Sequence, residues 1–297
     1  MSTIISVLIN GLSLGAIYAL IALGYTMVYG IAKMLNFAHG DIIMVGSYTI
    51  FITVMNLNIG GPVLTLVAAI LFSVIVCTVF GVTIEKIAYK PLRGASPLAV
   101  LITAIGVSYF LQGSSQLLFG ARALPITMPN LGNIDIGAAK VSVGTVVTLV
   151  VGIILMVALT VFIKNTRTGK AMVAVSEDKG AAQLMGINVN KIIMITFAIG
   201  SALAAFAALF YLFGIPAVNP TLGSMPGIKA FAAAVIGGIG SIPGAMLGGI
   251  LMGLIESICK SIPALSSYTL AIEFGILILI LLIRPIGLLG KKRRVKV

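Results

Sequence analysis

A single histidine occurs among the 297 residues of this chain, in Asn36-Phe37-Ala38-His39-Gly40-Asp41. One imidazole and one nearby carboxylate fall short of a metal site, which needs three or four ligands at suitable spacing. No metal and no cofactor are expected. Acid–base catalysis lacks its parts as well: there is no second histidine, no His-Glu-x-x-His and no nucleophile elbow. Gly40 permits a sharp turn, and Asn36 or Asp41 could cap a helix starting near Ile42. The two cysteines, Cys77 and Cys259, each adjoin an apolar run. They make neither a disulfide framework nor a zinc site. No Gly-x-x-x-x-Gly-Lys-[Ser/Thr] is present, so the chain has no phosphate-binding loop of its own.

The elements that must position these residues are set by composition. Hydrophobic residues make up 60% of the chain, 9% are charged, and mean hydropathy is +1.20. A soluble domain is about a quarter charged. With too few charges to cover a water-facing surface, the chain is expected to be an all-α polytopic membrane protein in lipid. The net charge of +12 sits in short stretches between apolar runs. That is the pattern of loops held on the cytoplasmic side, not a nucleic-acid footprint.

Apolar runs long enough to cross a ~30 Å hydrocarbon core cover 4–31, 62–84, 98–119, 141–163, 192–213 and 268–284, and 36–57 and 228–258 are apolar but interrupted. About eight spans plus broken or re-entrant helices are expected, in one domain over 1–297. The first run is longer than a signal-peptide core of ~7–15 residues and is expected to stay in the mature protein. Loops 85–97 and 164–191 and the tail Lys291, Lys292, Arg293, Arg294 and Lys296 hold most of the Lys and Arg, which puts them and the C-terminus in the cytoplasm. The tail reads as an anchor near anionic lipid. For the N-terminus two readings stand. Either 4–31 and 42–57 both cross and it lies outside, which Lys33 favours, or 31–57 is re-entrant and it lies inside.

Loop 164–191 and the tail share a side, so 228–258 must cross twice or not at all. Its centre, Gly237-Gly238-Ile239-Gly240-Ser241-Ile242-Pro243-Gly244, has strong turn chemistry. A short helix over 228–238 and a return helix over 244–260 are expected around it. Non-helical backbone at membrane depth survives only against protein or water. Gly237, Gly238, Gly240, Ser241 and Gly244 are therefore candidates for a translocation pathway. Asn36, His39, Gly40 and Asp41 join them, because the helix after that break would aim its N-terminal end at an anionic solute group. A capped turn is the competing reading. Gly11/Gly15, Gly240/Gly244/Gly248, Gly249/Gly253, Ala198/Ala202 and Ala204/Ala208 are small residues four apart, spaced for close helix contact. Glu256 and Glu273 sit near outer span ends, where Lys260 is available to pair with one of them. Gln112, Ser114, Ser115 and Gln116 make the outer half of their span polar.

Loop 164–191 is too ordered in pattern to be a plain linker. Ser176 suits an N-cap, Glu177 and Asp178 suit the positive end of a helix dipole, and Gly186 suits a left-handed stop. Ala181, Leu184 and Met185 form one apolar face. A capped helix of about nine residues is too short to persist alone in water and needs a partner surface, either the protein's own helix ends or another subunit.

Ala181-Ala182-x-x-x-Gly186 resembles the Glu-Ala-Ala…Gly loop of ABC-importer permeases, with Gly180 where the glutamate would stand. The fuller run Thr166-Arg167-Thr168-Gly169-Lys170-Ala171-Met172 through Asn188 resembles the branched-chain amino-acid permease family. So do Leu35–Asp41 with Met44 and Gly46-Ser47-Tyr48, the run Tyr89-Lys90-Pro91-Leu92-Arg93-Gly94, and the glycine-rich run from Gly237 to Gly244. The resemblance covers nearly the whole chain, and it departs from the family at Val173, where arginine is usual.

The resemblance implies the membrane subunit of an importer in the bacterial inner membrane. It implies a second homologous permease, two cytoplasmic ATPase subunits and a periplasmic binding protein as partners. Arg167, Gly169, Lys170, Ser176, Glu177, Asp178, Ala181, Ala182 and Gly186 would couple to the ATPase. It implies leucine, isoleucine and valine as solutes, a pattern that urea and short-amide importers largely share. An ion-coupled carrier or channel is the other class. It would carry mid-span carboxylates and need no docking loop.

Overall fold

The computed structural model describes residues 2–57, 60–129, 131–136 and 139–290. The basic tail Lys291–Lys296 lies outside the described residues. The chain forms α1 (Ser2–Ala32), α2 (His39–Asn56) and α3 (Pro62–Ile84), a π-helical turn Glu85–Tyr89 and a 3-10 turn Lys90–Leu92, then α4 (Pro97–Phe119). After β1 (Leu124–Pro125), β2 (Asn133–Ile136) and β3 (Ala139–Ser142) come α5 (Val143–Asn165), α6 (Arg167–Glu177), α7 (Lys179–Leu184) and α8 (Val189–Gly214). The last part is β4 (Ala217–Val218), α9 (Ser224–Gly237), α10 (Ile242–Ser261), α11 (Pro263–Ser266) and α12 (Thr269–Ile283).

Six helices are long and apolar enough to cross a membrane: α1, α3 with its following turns, α4, α5, α8 and α10. The protein is a multi-pass helical membrane protein. Its loops sort to two ends. At the basic end Arg93 bonds Glu85 and Asn190, and Lys179 donates to the Ala32 carbonyl at 2.7 Å. At the opposite end β1 pairs with β4 and β2 pairs with β3, both antiparallel. Because α1 finishes at the basic end, its first turns lie at the opposite one.

Two helices, α2 and α9, start inside the bundle, their first residues packed against each other. α9 has 14 residues, about 21 Å of helix. α2 begins within the bundle: the His39 ring occupies the space where a Cβ on Gly24 would stand, and Gly24 is eight residues, or about 12 Å, from the end of α1. The two starts meet, with Gly40 against the backbone of Gly223 and Gly227. Around them the packing is mirrored. α1 lies along α10 as α8 lies along α3, and α2 packs on α3 as α9 packs on α10. α1 to α3 and α8 to α10 thus run in opposite directions, an inverted repeat of the kind transporters use.

The expected pairs of small residues serve different neighbours. A Cβ on Gly15 would meet Ile250 at 2.8 Å, Gly249 faces Ala19, and Gly253 faces the backbone of Gly15 and Gly11. Gly244 and Gly248 face Gly237 and Ala233 of α9. Lipid tails are as apolar as leucine, so such close van der Waals contact, not burial from water, binds these helices.

α9 is also clamped by charge. The Lys229 ammonium lies 2.8 Å from Glu256 and 3.1 Å from Glu273. Glu256 further accepts from Tyr18 at 2.6 Å and pairs with Lys260 at 2.6 Å. The pairing of Lys260 was expected; Lys229, linking α9 to both α10 and α12, was not.

Gly253→Leu forces a side chain into the backbone of α1 and should destabilise the protein by about 3 kcal/mol or more. Gly275→Leu, on an open face of α12 with no heavy atom within 4 Å of its Cβ position, should leave stability unchanged. Thermal unfolding in detergent, followed by loss of the monodisperse peak, checks both.

Candidate functional site

The junction of α2 and α9 gathers most of the first sequence motif. No side chain caps α2: Ala38 holds the N-cap position without a cap bond. The expected cap by Asn36 or Asp41 is therefore corrected, because both side chains are engaged elsewhere. Asn36 accepts from the Tyr89 hydroxyl at 2.8 Å, which ties the break after α1 to the turn before α4. His39 is buried, and its ring meets Tyr25 edge-on, with centroids 4.9 Å apart. Gly40 is where two backbones touch. A Cβ there would strike the Gly223 carbonyl.

Asp41 lies in the first turn of α2 and is 2% exposed. Its carboxylate accepts from Gln112 Nε2 at 2.8 Å. The same nitrogen lies 3.2 Å from Ser108 Oγ and 3.3 Å from Ser224 Oγ. Gln112 also lines a cavity of about 480 Å³ with Tyr109, Gly113, Gln116, Asn219 and Thr221, at the end carrying β1 and β4. The polar half of α4 thus faces a cavity and a buried carboxylate. The sequence marked Gln112 as polar but could not connect it to Asp41, which is 71 residues away.

The second break lies at the basic end. Gly238 and Gly240 have φ of +104° and +95°, the left-handed region that glycine tolerates. Gly237 packs on the Gly244 backbone, and Gly240 approaches Gly30. Ser241 caps α10, accepting from the Gly244 N–H at 3.3 Å. Residues after α12 satisfy the free carbonyls: the N–H groups of Leu288 and Leu289 donate to Ile236 and Gly237 at 2.8 and 2.9 Å. This cover from 284–290 carried no sequence signal. Gly240 itself is exposed, and Ser241 is half-buried.

The polar loop 164–191 holds two helices where one of about nine residues was expected. Thr166 caps α6, accepting from the Gly169 N–H at 3.0 Å. Gly169 has no room for a side chain against Phe162 and Ile163. Ser176 is not a cap, which corrects the expectation. It sits inside α6, and its hydroxyl donates to the Val173 carbonyl at 2.7 Å. The cap of α7 is Asp178, extended at φ −152°, which accepts from the Gly180 and Ala181 N–H groups at 2.9 and 3.0 Å. Gly186 ends the segment at φ +80°, as expected.

Ala182 is buried. Leu184 and Met185 are 91% and 82% exposed, with Arg167, Lys170, Glu177 and Ala181 also on the surface. Lys179 reaches the last carbonyl of α1. Burial and the nearby Arg93 charge hold its ammonium below the ordinary lysine range. The described residues contain no group of three or more His, Cys, Asp or Glu placed to hold a metal.

Residues 7–281 match the family described as "Branched-chain amino acid transport system / permease component". The chain is 46% identical to the high-affinity branched-chain amino acid transport system permease protein BraD of Pseudomonas aeruginosa, over 98% of this chain and 97% of that one. It is 41% identical to the corresponding LivH protein of Escherichia coli, over 97% and 96%. A more distant relative is the ribose import permease protein RbsC of Haemophilus influenzae, at 27% identity over 96% and 86%. The chain belongs to the branched-chain amino-acid transport permease family, whose members are components of multi-subunit transport systems.

Proposed function

We propose that this chain is the membrane-spanning subunit of an ATP-driven importer of leucine, isoleucine and valine in a bacterial inner membrane. Its partners are a second homologous permease, two cytoplasmic ATPase subunits and a periplasmic binding protein. The basic end and the C-terminus face the cytoplasm, in keeping with the distribution of Lys and Arg. The names of the relatives at 46% and 41% identity support the solute class. The energy source is supported by one observation above others: Leu184 and Met185, at the end of a capped six-residue helix on the basic end, are 91% and 82% exposed. A helix this short does not hold itself together in water, and an apolar pair bared there suits docking into a partner's groove.

Force applied to α7 has a direct route inward. Lys179, at its first position, holds the end of α1, and the break after α1 carries Asn36 to Asp41. Movement of the docked helix would then reach the junction of α2 and α9, while the Gly237–Gly244 break flexes beside it as the inner part of the pathway. An ion-coupled carrier fits less well. It would have no use for the apolar pair bared on α7, and Glu256 and Glu273 are paired with Lys229 and Lys260 within the protein.

A strain deleted for this gene should lose uptake of labelled leucine, regain it from the plasmid-borne gene, and show competition by isoleucine and valine with no change in urea uptake. Restored urea uptake without leucine uptake would contradict the reading. Leu184→Asp with Met185→Asp touches no span. It should leave the protein in the membrane, release the ATPase subunits on purification, and lower uptake at least tenfold; normal uptake would remove the docking role.

A further inference from the structure

Of the four carboxylates buried in the described structure, three have cationic partners. Glu85 pairs with Arg93, Glu256 with Lys229 and Lys260, and Glu273 with Lys229. Asp41 is buried to the same degree, and among the described residues no Lys, Arg or His forms an ion pair with it. A charge inside a span without a counter-charge is costly and marks function by default. Asp41 has hydrogen bonds but no counter-charge. It sits in the first turn of α2, and α9 begins beside it, so two positive dipole ends converge there.

Asp41 accepts from the Gln112 amide nitrogen and from the Ser108 hydroxyl. Gln112 Nε2 has three oxygens around it, from Asp41, Ser108 and Ser224, at 2.8, 3.2 and 3.3 Å. A primary amide has two hydrogens on that nitrogen and no charge. An ammonium has three hydrogens and a full positive charge. The surroundings therefore suit an –NH₃⁺ better than the group that occupies them. Gln112 is also the residue that joins this place to the 480 Å³ cavity, so a solute entering the cavity meets the amide first.

We propose that Asp41, Ser108 and Ser224 form a seat for the α-ammonium of the transported amino acid, which Gln112 fills when no solute is present. The inference rests on the reading of the chain as an amino-acid permease and names the contact such a solute makes on its way through. On arrival the ammonium displaces the Gln112 amide and gives Asp41 its missing counter-charge. Closure of the cavity behind it then leaves the ion pair away from water, where the attraction is strongest. No bond is made or broken. The seat recognises the part that all α-amino acids share and leaves the choice of side chain to other contacts.

The test uses the assembled transporter in proteoliposomes, with labelled leucine, substrate-loaded binding protein and ATP. Asp41→Asn keeps the shape and removes the charge. It should lower leucine uptake at least tenfold while ATP hydrolysis stimulated by the loaded binding protein stays within twofold of the wild type, and Asp41→Glu should recover at least a third of the uptake. Gln112→Lys places a tethered ammonium in the seat and should block uptake to the same extent, again with stimulated hydrolysis intact. If Asp41→Asn does not accumulate, Gln112→Lys decides by the same criteria. Uptake within twofold of the wild type in either variant overturns the proposal. So does loss of uptake and stimulated hydrolysis together in every variant, since that marks a structural bond. A wild-type transporter that carries urea and no leucine removes the functional reading and the seat with it. Leucine carriage untouched by these substitutions removes the seat alone.

Discussion

Backbone N–H and C=O groups cannot be left bare in hydrocarbon, and this chain interrupts its helices inside the bundle. The solution is to set the interruptions against each other. The start of α2 and the start of α9 touch through Gly40, Gly223 and Gly227, where any side chain would collide with the facing backbone. Because the two starts come from oppositely directed halves, closing one break with the other requires the mirrored packing of α1 on α10 and α3 on α8. The close glycine contacts along α1 and α10 and the Lys229 clamp on α9 hold that arrangement in place. Asp41 is the consequence. A helix start in the middle of a bundle offers a carboxylate a positive dipole end where no cation stands.

The same junction is tied to the basic end by specific bonds. Tyr89 holds Asn36, Lys179 holds Ala32, and Arg93 joins the turn before α4 to the start of α8. The second break is sealed by 284–290 across Ile236 and Gly237. Loops that read in sequence as separate motifs thus form one connected layer beneath the two broken helices.

Much of this was legible from residue order because membrane helices obey two simple rules. Length and apolarity gave five of the six long spans, and loop parity with the Gly237–Gly244 run gave the sixth, α10, together with α9 within a few residues; the apolar run 268–284 holds only the 15-residue α12. Four-residue spacing of small side chains marked the α1–α10 seam. What sequence left open was pairing over distance. Lys229 meets Glu256 and Glu273 across three helices, and Gln112 meets Asp41 from another quarter of the chain. Local chemistry failed where neighbours compete. Ser176 and Asp178 both suit a cap, and the choice fell to Asp178 because α6 runs on through Ser176 and leaves Asp178 as the extended residue. The order in the first part of loop 164–191 was missed because α6 owes it to burial of Met172 and Val175 beneath a polar outer face.

The central claim is that the junction of α2 and α9 lies on the solute's route and is reached by water from the end opposite the basic one. Ser224, at the first position of α9 and half-buried beside Gln112, reports on it directly. In a functional Ser224→Cys protein, with Cys77 and Cys259 replaced by alanine, a small water-soluble thiol reagent added outside the cell should label Cys at 224 at rest. Labelling should fall at least fivefold when the loaded binding protein and ATP with vanadate hold the transporter in its closed state. A functional variant that stays inert to the reagent in both states would contradict the account.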